Sequence, residues 1–369
     1  MKKCIALILF TFASIVAIAQ QKHLNLLIGS YTNTGKSEGI YVYDFDMKNA
    51  STQLKTITKN IVNPNFLSLS PDQKYVYVAN EIEKTGSVSA FGFNAETGTL
   101  TLLNTVSSEG LGPCHVTADD QNVLVANYRG GSLAVFNRLA DGSLSGAVQI
   151  IKHTGKSVHP NSQTSAHVHQ NQFSPDHQYV LSNDLGEDLT YIYRYAPAAK
   201  EQTLTLANVI KASPGTGPRH LTFGLNGRFA YLVNELNGHI NTFSYANGSL
   251  IMLQDIRTTA PEFSGKIAGA DIHISPDGKF LYETNRGDLN TISTFSVLSS
   301  GKLRHIETVS ALGNGPRNFT IAPDGNFLLV AHQYSNEVVI FHRHKKTGKL
   351  TDSGKRIAVG APSCLVFAN

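Results

Sequence analysis

Charged side chains and imidazoles recur in matching phrases along this 369-residue chain, although charged residues make up only 16% of it. The phrase Gly217-Pro218-Arg219-His220 is echoed by Gly315-Pro316-Arg317, and two other segments end in Asn234-Glu235 and Asn285-Arg286. Arginine binds carboxylate and phosphate oxygens, while glutamate and histidine take up and release protons. If these side chains converge in one concave site, they can bind an anionic substrate and carry out acid–base chemistry.

A repeat of about 50 residues must position these side chains. In each copy an apolar strand leads into a turn resembling Ser-Pro-Asp-Gly, and an aromatic-rich strand ending in Asn follows. The turns are anchored at residues 71, 118, 175, 225, 276 and 323, which are 47 to 57 residues apart. Two more alternating strands, separated by a Gly-containing turn, complete the copy. Four short strands per repeat of this length are typical of a β-propeller blade.

The two ends of the chain supply a further blade. Leu24–Tyr31 has the pattern of a second strand without a first, and Ala361–Asn369 has that of a first strand without a successor. Pairing of the C-terminal strand with the N-terminal blade would close the ring and cover an exposed sheet edge. The sequence therefore predicts an all-β fold, a seven-bladed β-propeller, with residues 20–369 as a single domain.

The hairpin in each blade predicts which mouth of the central channel carries the function. The start of the first strand lies beside the end of the second, so positions about six before and nine or ten after each anchor share one mouth. Charged and imidazole side chains predicted to gather there are His115, His169, Asp184, Arg219, His220, Glu235, Arg286, Arg317 and His332. The opposite mouth is formed by the Pro-Asp turns, whose composition is that of ordinary tight turns.

These motifs resemble those of the seven-bladed lactonase family, which includes propeller-type 6-phosphogluconolactonases and fungal carboxy-muconate lactonizing enzymes. The most specific stretches are Gly217–His220 with Val233–Leu236, and Ala270–Gly278 with Thr284–Arg286. The resemblance implies a metal-independent lactone hydrolase or cycloisomerase. The histidine, two arginines and glutamate proposed as the active site of the lactonizing branch match four residues of this chain: His169, Arg219, Glu235 and Arg286. The remaining rim residues are then candidates for substrate binding: His115, Asp184, His220, Arg317 and His332.

The function expected from the sequence is hydrolysis of a sugar lactone. Arginines would stabilise the developing oxyanion, and either Glu235 or His169 would remove a proton from water. Two alternatives stay open: a lactonizing cycloisomerase that uses the same residues, and a non-enzymatic propeller that binds a ligand or a protein at this rim. Phosphate-loop, dinucleotide-binding and Cys-x-x-Cys motifs do not occur, so we expect no cofactor. The resemblance implies that no metal ion is needed. A calcium-dependent lactonase is a further alternative, which the count of seven blades disfavours.

The N-terminus indicates where the protein works. Lys2 and Lys3 precede the apolar run Ile5–Ile18, and small residues end the segment, so residues 1–19 are predicted to be a cleavable signal peptide. We therefore expect a periplasmic or secreted protein, outside the compartment where free 6-phosphogluconolactone is expected. Of the 31 Lys and Arg residues, 29 remain after cleavage against 27 acidic ones, which predicts no binding to nucleic acid. We expect no membrane association after cleavage, a monomer or weak dimer, and a small lactone or anionic sugar as ligand.

Overall fold

The computed structural model describes residues 22–82, 85–199 and 202–369, so the predicted signal peptide lies outside the described residues. The described chain contains 28 β-strands arranged as seven four-stranded sheets, and all the strand pairs are antiparallel. No helix in the described ranges has the length and apolar character needed to cross a membrane. The all-β, seven-bladed propeller predicted from the repeat is confirmed.

The first blade joins the two ends of the chain. It consists of four strands, in the sheet order β28 (Pro362–Ala368), β1 (His23–Ser30), β2 (Gly39–Asp46) and β3 (Thr52–Lys59). In the closing pair, Leu26 lies opposite Phe367 and Ile28 lies opposite Leu365. The predicted closure by the C-terminal strand is therefore confirmed, and it supplies the first blade with its innermost strand.

Each of the other six blades contains four strands that are consecutive in the chain. The second and third blades contain β4 (Pro64–Leu69), β5 (Tyr75–Glu81), β6 (Gly86–Asn94), β7 (Thr99–Ser107), β8 (Pro113–Ala118), β9 (Asn122–Asn127), β10 (Ser132–Arg138) and β11 (Leu144–Lys152). The fourth and fifth contain β12 (Val168–Phe173), β13 (Tyr179–Asp184), β14 (Leu189–Tyr195), β15 (Leu204–Lys211), β16 (Pro218–Phe223), β17 (Phe229–Asn234), β18 (His239–Ala246) and β19 (Ser249–Arg257). The sixth and seventh contain β20 (Ile267–Ile274), β21 (Phe280–Gly287), β22 (Thr291–Val297), β23 (Leu303–Ser310), β24 (Pro316–Ile321), β25 (Phe327–His332), β26 (Glu337–Arg343) and β27 (Leu350–Ala358).

The hydrophobic core lies between the blades. Strand residues alternate between two faces, so each blade can present apolar side chains to both neighbours. Between the fifth and sixth blades, for example, Tyr231 and Val233 pack with Leu281 and Phe295. A cluster of this kind lies between every pair of neighbouring blades, which makes the core a ring around the channel.

A β-bulge in the innermost strand of each blade presents one residue at the channel mouth. In the fifth blade Pro218 pairs with Asn234 and His220 pairs with Val233, which leaves Arg219 as the extra residue. A bulge bends the strand and redirects the side chain of its extra residue. The residues at the matching place in the seven blades, which we call the bulge ring, are Ser363, Asn65, Cys114, His169, Arg219, Ala270 and Arg317.

Candidate active site

A polar cavity of about 230 Å³ lies at the mouth predicted to carry the function. Its walls come from the bulge ring and from a second set of residues, the strand-end ring, each of which lies at or next to the end of the second strand of its blade. The strand-end ring consists of Tyr31, Glu81, Tyr128, Leu185, Glu235, Arg286 and Gln333. The residues that line the cavity are Tyr31, Glu81, Cys114, Tyr128, Arg129, His169, Glu235, Arg286 and Arg317.

Glu235 is held by two guanidinium groups on one wall of the cavity. Its Oε2 accepts a hydrogen bond from Nε of Arg219 at 2.9 Å and lies 3.0 Å from Nη2 of Arg286. Burial alone would raise the pKa of Glu235, but the charges of Arg286 and Arg219 outweigh it and hold the pKa below its ordinary value. Glu235 is therefore an ionised carboxylate at neutral pH, and it fixes both arginines in place.

Backbone carbonyl groups complete the orientation of these two arginines. Arg219 is fully buried and donates a further hydrogen bond to the carbonyl oxygen of Ala270. Arg286 donates to the carbonyl oxygens of Ala268 and Gly269 at 3.4 and 3.3 Å. Arg286 faces the cavity, whereas Arg219 lies beneath Glu235 and does not line the cavity. Arg219 is thus placed to position Glu235.

Three histidines lie beside and below this wall. Nε2 of His169 is 4.0 Å from Oε2 of Glu235, and the His169 ring contacts the ring of His220 with centroids 5.1 Å apart. His220 in turn packs against His115 deeper in the channel, and its Nδ1 pairs with Asp271 at 2.8 Å. Burial, followed by the charge of Arg219, lowers the pKa of His169 well below its ordinary value, so its imidazole is neutral at pH 7.

Arg317 contributes a positive charge that is not neutralised by direct contact. Its guanidinium stacks over the ring of Tyr31 at 5.5 Å from the centroid. Among the residues that the structure describes, none forms a hydrogen bond or an ion pair with this guanidinium. Its five N–H donors are therefore available to an anionic ligand in the cavity.

Glu81 lies on the far wall of the cavity and is held by neutral donors. Its Oε2 accepts hydrogen bonds from Oη of Tyr31 at 2.8 Å and from Nδ2 of Asn65 at 2.9 Å. Its Oε1 is 3.6 Å from Nη2 of Arg129, a half-exposed side chain at the outer edge. Burial raises the pKa of Tyr31 to about 12, so the phenol keeps its proton and donates to the carboxylate.

Comparison with known proteins identifies the family to which this arrangement belongs. The family model described as Lactonase, 7-bladed beta-propeller matches residues 25–367. The chain belongs to the seven-bladed lactonase propellers. A 6-phosphogluconolactonase of Formosa agariphila is 36% identical over 347 residues, which cover 92% of this chain and 98% of the relative. A 6-phosphogluconolactonase of Bacillus subtilis is 34% identical, with coverage of 92% and 97%.

A solved structure of this family adds a second kind of similarity. The periplasmic gluconolactonase of Pseudomonas aeruginosa superposes with a TM-score of 0.91 and is 38% identical, covering 94% of this chain and 99% of that one. The resemblance stated from the motifs is thus confirmed over nearly the whole described chain, and the cavity lies in a lactonase propeller.

Four of the sequence-predicted residues meet at this lactonase cavity, and the rest lie elsewhere. His169, Glu235, Arg286 and Arg317 line it. Arg219 lies just beneath them, and His115 and His220 lie further down the channel. Asp184 and His332 are fully buried and do not line the cavity.

The alternation of side chains along a strand explains why Asp184 and His332 are not at the cavity. Both stand nine positions after their turn anchor, whereas Glu235 and Arg286 stand ten positions after theirs, and consecutive residues face opposite ways. The Oδ1 atom of Asp184 instead accepts hydrogen bonds from the backbone N–H groups of His167, Gly186 and Glu187. Asp184 therefore caps the end of its strand.

A group of possible metal ligands also occurs around Asp184. Ligand atoms of His153, Asp184 and Glu187 lie within 4.8 Å of one another. Both ring nitrogens of His153 already have partners, Asp184 at 2.8 Å and Tyr193 at 2.9 Å, and Glu187 accepts hydrogen bonds from Tyr191 and the backbone of Gly155. With its polar atoms paired internally, this cluster stabilises the loop that follows β11.

Several cavity residues were not among the sequence-predicted candidates. Glu81 and Tyr128 occupy the same offset from their turn anchors as Glu235, so the repeat spacing did contain a signal for them. Tyr31 has the same place in the first blade, but the hairpin of that blade is divided between the two chain ends. Because no turn anchor precedes Tyr31, counting along the sequence cannot find it.

Proposed function

We propose that this protein hydrolyses a sugar lactone that carries an anionic group, using the cavity at the Glu235 mouth of the channel. The family and the names of its relatives support a lactone hydrolase. One observation carries the proposal: Glu235 fixes the guanidinium of Arg286, and the unpaired guanidinium of Arg317 faces the same small cavity. A fixed donor suits a reacting carbonyl group, and an unpaired cation suits an anionic substituent.

The charge balance of the cavity also supports an anionic substrate. Arg129, Arg286 and Arg317 line it against Glu81 and Glu235, and Arg219 contacts Glu235 from below. Four guanidinium groups and two carboxylates leave an excess of two positive charges. In a partly dried site this excess favours a ligand with a phosphate or a carboxylate group.

The two cavity arginines take different roles in the proposed reaction. Arg286, oriented by Glu235 and two backbone carbonyl groups, polarises the lactone carbonyl group and stabilises the oxyanion that forms when water attacks. Arg317 binds the anionic substituent. The neutral imidazole of His169 offers a hydrogen bond to the substrate or the water, and Arg219 keeps Glu235 in place.

Glu235 and His169 were the two candidates for the general base. Burial would raise the pKa of Glu235, but the charges of Arg286 and Arg219 outweigh it and lower this pKa. Burial and the charge of Arg219 lower the pKa of His169. A lowered pKa makes each of them a weak proton acceptor at neutral pH. Their proposed contributions are therefore to fix Arg286 and to hydrogen-bond the reactants.

We also propose that the protein works in the periplasm or outside the cell. The predicted signal peptide, residues 1–19, supports export, and the similar Pseudomonas aeruginosa gluconolactonase is named as periplasmic. Export favours lactones that arise outside the cytoplasm, so the anionic group of the substrate need not be the phosphate of a cytoplasmic sugar.

A lactone panel on the purified mature protein tests the proposed function. Acid release is followed with a pH indicator for phosphorylated, carboxylated and neutral aldonolactones, after subtraction of spontaneous hydrolysis, with an unsaturated diacid as a separate arm for cycloisomerisation. We expect Arg286→Ala and Glu235→Gln to reduce kcat for lactone opening by about 10²–10³-fold, the usual effect of losing an oriented oxyanion donor.

The matched control for these variants is Glu96→Gln, which changes an exposed glutamate in the turn between β6 and β7. Circular dichroism and thermal unfolding should show the propeller intact in all three variants. Full activity of both Arg286→Ala and Glu235→Gln would reject the site, and a wild-type protein that opens no lactone would reject the function.

A further inference from the structure

Tyr31 and Glu81 form a hydrogen-bonded pair on the wall opposite Glu235. We propose that this pair is the proton relay that activates the attacking water, with Tyr31 accepting the proton of the water while its own proton moves to Glu81. The inference rests on the proposed lactone hydrolysis, and it assigns the base to residues outside the quartet predicted from the sequence.

The hydrogen-bond directions fix which atoms can accept a proton. Oε2 of Glu81 receives hydrogen bonds from two donors, Oη of Tyr31 and Nδ2 of Asn65, so this oxygen acts as an acceptor in both contacts. A phenol hydroxyl group has only one hydrogen to donate, and that of Tyr31 points to Glu81. Oη of Tyr31 also accepts a hydrogen bond of 3.4 Å from Nδ2 of Asn65, which leaves its other lone pair for a proton donor in the cavity that Tyr31 lines.

The surroundings hold the pair in this geometry. Asn65 also donates to the carbonyl oxygen of Pro113 at 3.1 Å, and the backbone of Glu81 is tied to Asn63 by hydrogen bonds of 3.1 and 2.8 Å. The guanidinium of Arg317 stacks over the Tyr31 ring and stabilises negative charge that develops on Oη during transfer. Tyr31 as a whole residue is only 9% exposed to solvent.

The carboxylate of Glu81 differs from that of Glu235, on the other wall, in the groups that it contacts. The Oε2 atom of Glu235 lies within 3.0 Å of two cationic groups, which would oppose uptake of a proton. Oε2 of Glu81 contacts two neutral donors, and its nearest guanidinium nitrogen is 3.6 Å from the other oxygen and half-exposed to solvent. Of the two cavity carboxylates, Glu81 is the better placed to receive a proton.

The proposed step balances without any further reactant. An O–H bond of water breaks as its proton goes to Oη of Tyr31, the Tyr31 O–H bond breaks as that proton goes to Oε2 of Glu81, and the water oxygen bonds to the carbonyl carbon. The carbonyl π electrons move to the oxygen that faces Arg286. When the tetrahedral intermediate collapses, the ring C–O bond breaks, and the proton on Glu81 returns through Tyr31 to the ring oxygen. The product acid then ionises and releases one proton to solvent.

Two variants test the relay. Tyr31→Phe removes the hydroxyl and keeps the ring under Arg317, and Glu81→Gln keeps an acceptor for Tyr31 that cannot take up its proton. We expect each to reduce kcat by about 10²–10⁴-fold, the usual contribution of general base catalysis. Because the two residues act as a unit, the double variant should be little slower than either single one. Tyr128→Phe, which removes the hydroxyl of the other cavity tyrosine, is the matched control and should lack these signatures of a relay.

Readouts beyond activity separate a relay from a structural role. The inhibition constant of the product aldonate should change by less than about threefold in the single variants, because both keep the shape of the cavity. Formate at high concentration should partly restore the activity of a Glu81→Ala variant, since it can occupy the vacated space and accept the proton. The rate of the wild type in mixtures of light and heavy water should depend non-linearly on the deuterium fraction, as two protons move, and the dependence should become linear in Tyr31→Phe.

The outcomes that test the relay are distinct from those that test lactone hydrolysis. A wild type active on lactones, together with full activity of Tyr31→Phe or Glu81→Gln, would overturn the relay and leave lactone hydrolysis standing. Loss of product binding in parallel with kcat would also overturn it, since that result means the pair only shapes the cavity. A large loss of kcat with binding retained and rescue by formate would support it.

Discussion

Glu81 and Glu235 occupy the same place in two different blades, and their surroundings make them chemically unlike. Each belongs to the strand-end ring, and each accepts a hydrogen bond from the bulge residue of its own blade, Asn65 for Glu81 and Arg219 for Glu235. The second partner comes from a neighbouring blade, which is the preceding blade for Tyr31 and the following blade for Arg286. Oε2 of Glu81 is consequently bound by neutral donors, and Oε2 of Glu235 is bound by cations.

This difference shows how a repeat can build an asymmetric site. The backbone of every blade supplies the same two positions, one bulge residue and one strand-end residue, at the same height of the channel. The side chains at those positions then decide whether a carboxylate fixes arginines or stays free to accept a proton. Replacing the partners of one glutamate should therefore alter one wall of the cavity without changing the other.

In this comparison, the largest loss of activity is expected when Arg219, the bulge-ring partner of Glu235, is replaced by Asn, which is the residue type at the matching position beside Glu81. Arg219→Asn removes the buried guanidinium that holds Glu235, so Glu235 orients Arg286 less firmly, while the contacts of Arg286 with two backbone carbonyl groups remain. We expect kcat for lactone opening to fall about 10²–10³-fold, measured by acid release, with a lower melting temperature because the buried ion pair is broken.

The corresponding change on the other wall serves as the comparison. Asn65→Ala removes one neutral donor from Glu81, whose hydrogen bond from Tyr31 remains. We expect kcat for lactone opening to fall about tenfold, which corresponds to one hydrogen bond to a charged group. If Asn65→Ala reduced kcat more than Arg219→Asn does, the distinction between a carboxylate oxygen bound by cations and one bound by neutral donors would be wrong.

A more selective effect, on KM rather than kcat, is expected at Arg317. Arg317→Gln removes the cation that has no direct partner among the described residues, so the KM for an anionic lactone should rise about 10–100-fold, corresponding to one hydrogen-bonded charge pair. The KM for the neutral lactone of the same sugar should stay nearly constant. Steady-state kinetics on the two lactones checks this prediction, and an equal rise for both would assign Arg317 a structural role.

The smallest effect on activity, but a clear one on stability, is expected at a third glutamate. Glu283 is fully buried in β21, both of its carboxyl oxygens lack a partner among the described residues, and burial raises its pKa to about 8. The unfolded chain ionises near the ordinary value of 4.5. Between pH 4.5 and 8 the folded state therefore binds the extra proton, and stability falls as the pH rises.

Glu283→Leu should remove this dependence. The melting temperature of the variant should exceed that of the wild type by a margin that grows from pH 5 to pH 8, while Glu283→Gln should show the loss of pH dependence without the gain from apolar burial. Thermal unfolding monitored by circular dichroism at several pH values checks both. A constant margin across this range would mean that Glu283 has found a partner.

Much of the site was predictable from the spacing of the repeat. The turn anchors gave the number of blades, the mouth of the channel and the approximate height of Arg219, Glu235, Arg286 and Arg317. The alternation of strand side chains could also have separated Asp184 from Glu235, because the two stand at adjacent offsets that face opposite ways. Counting positions at the rim without applying that alternation placed Asp184 and His332 in the site.

The sequence by itself determined the seven-bladed ring, its closure by the C-terminal strand and the family, since these follow from local strand and turn patterns repeated along the chain. Only the tertiary structure decided which side chains meet. Tyr31 and Glu81 are 50 residues apart, and Glu235 and Arg286 come from neighbouring blades, so their pairing depends on how the blades pack around the channel. The β-bulges add a shift of one residue in each first strand, which moves Arg219 beneath Glu235 and leaves Arg317 facing the cavity.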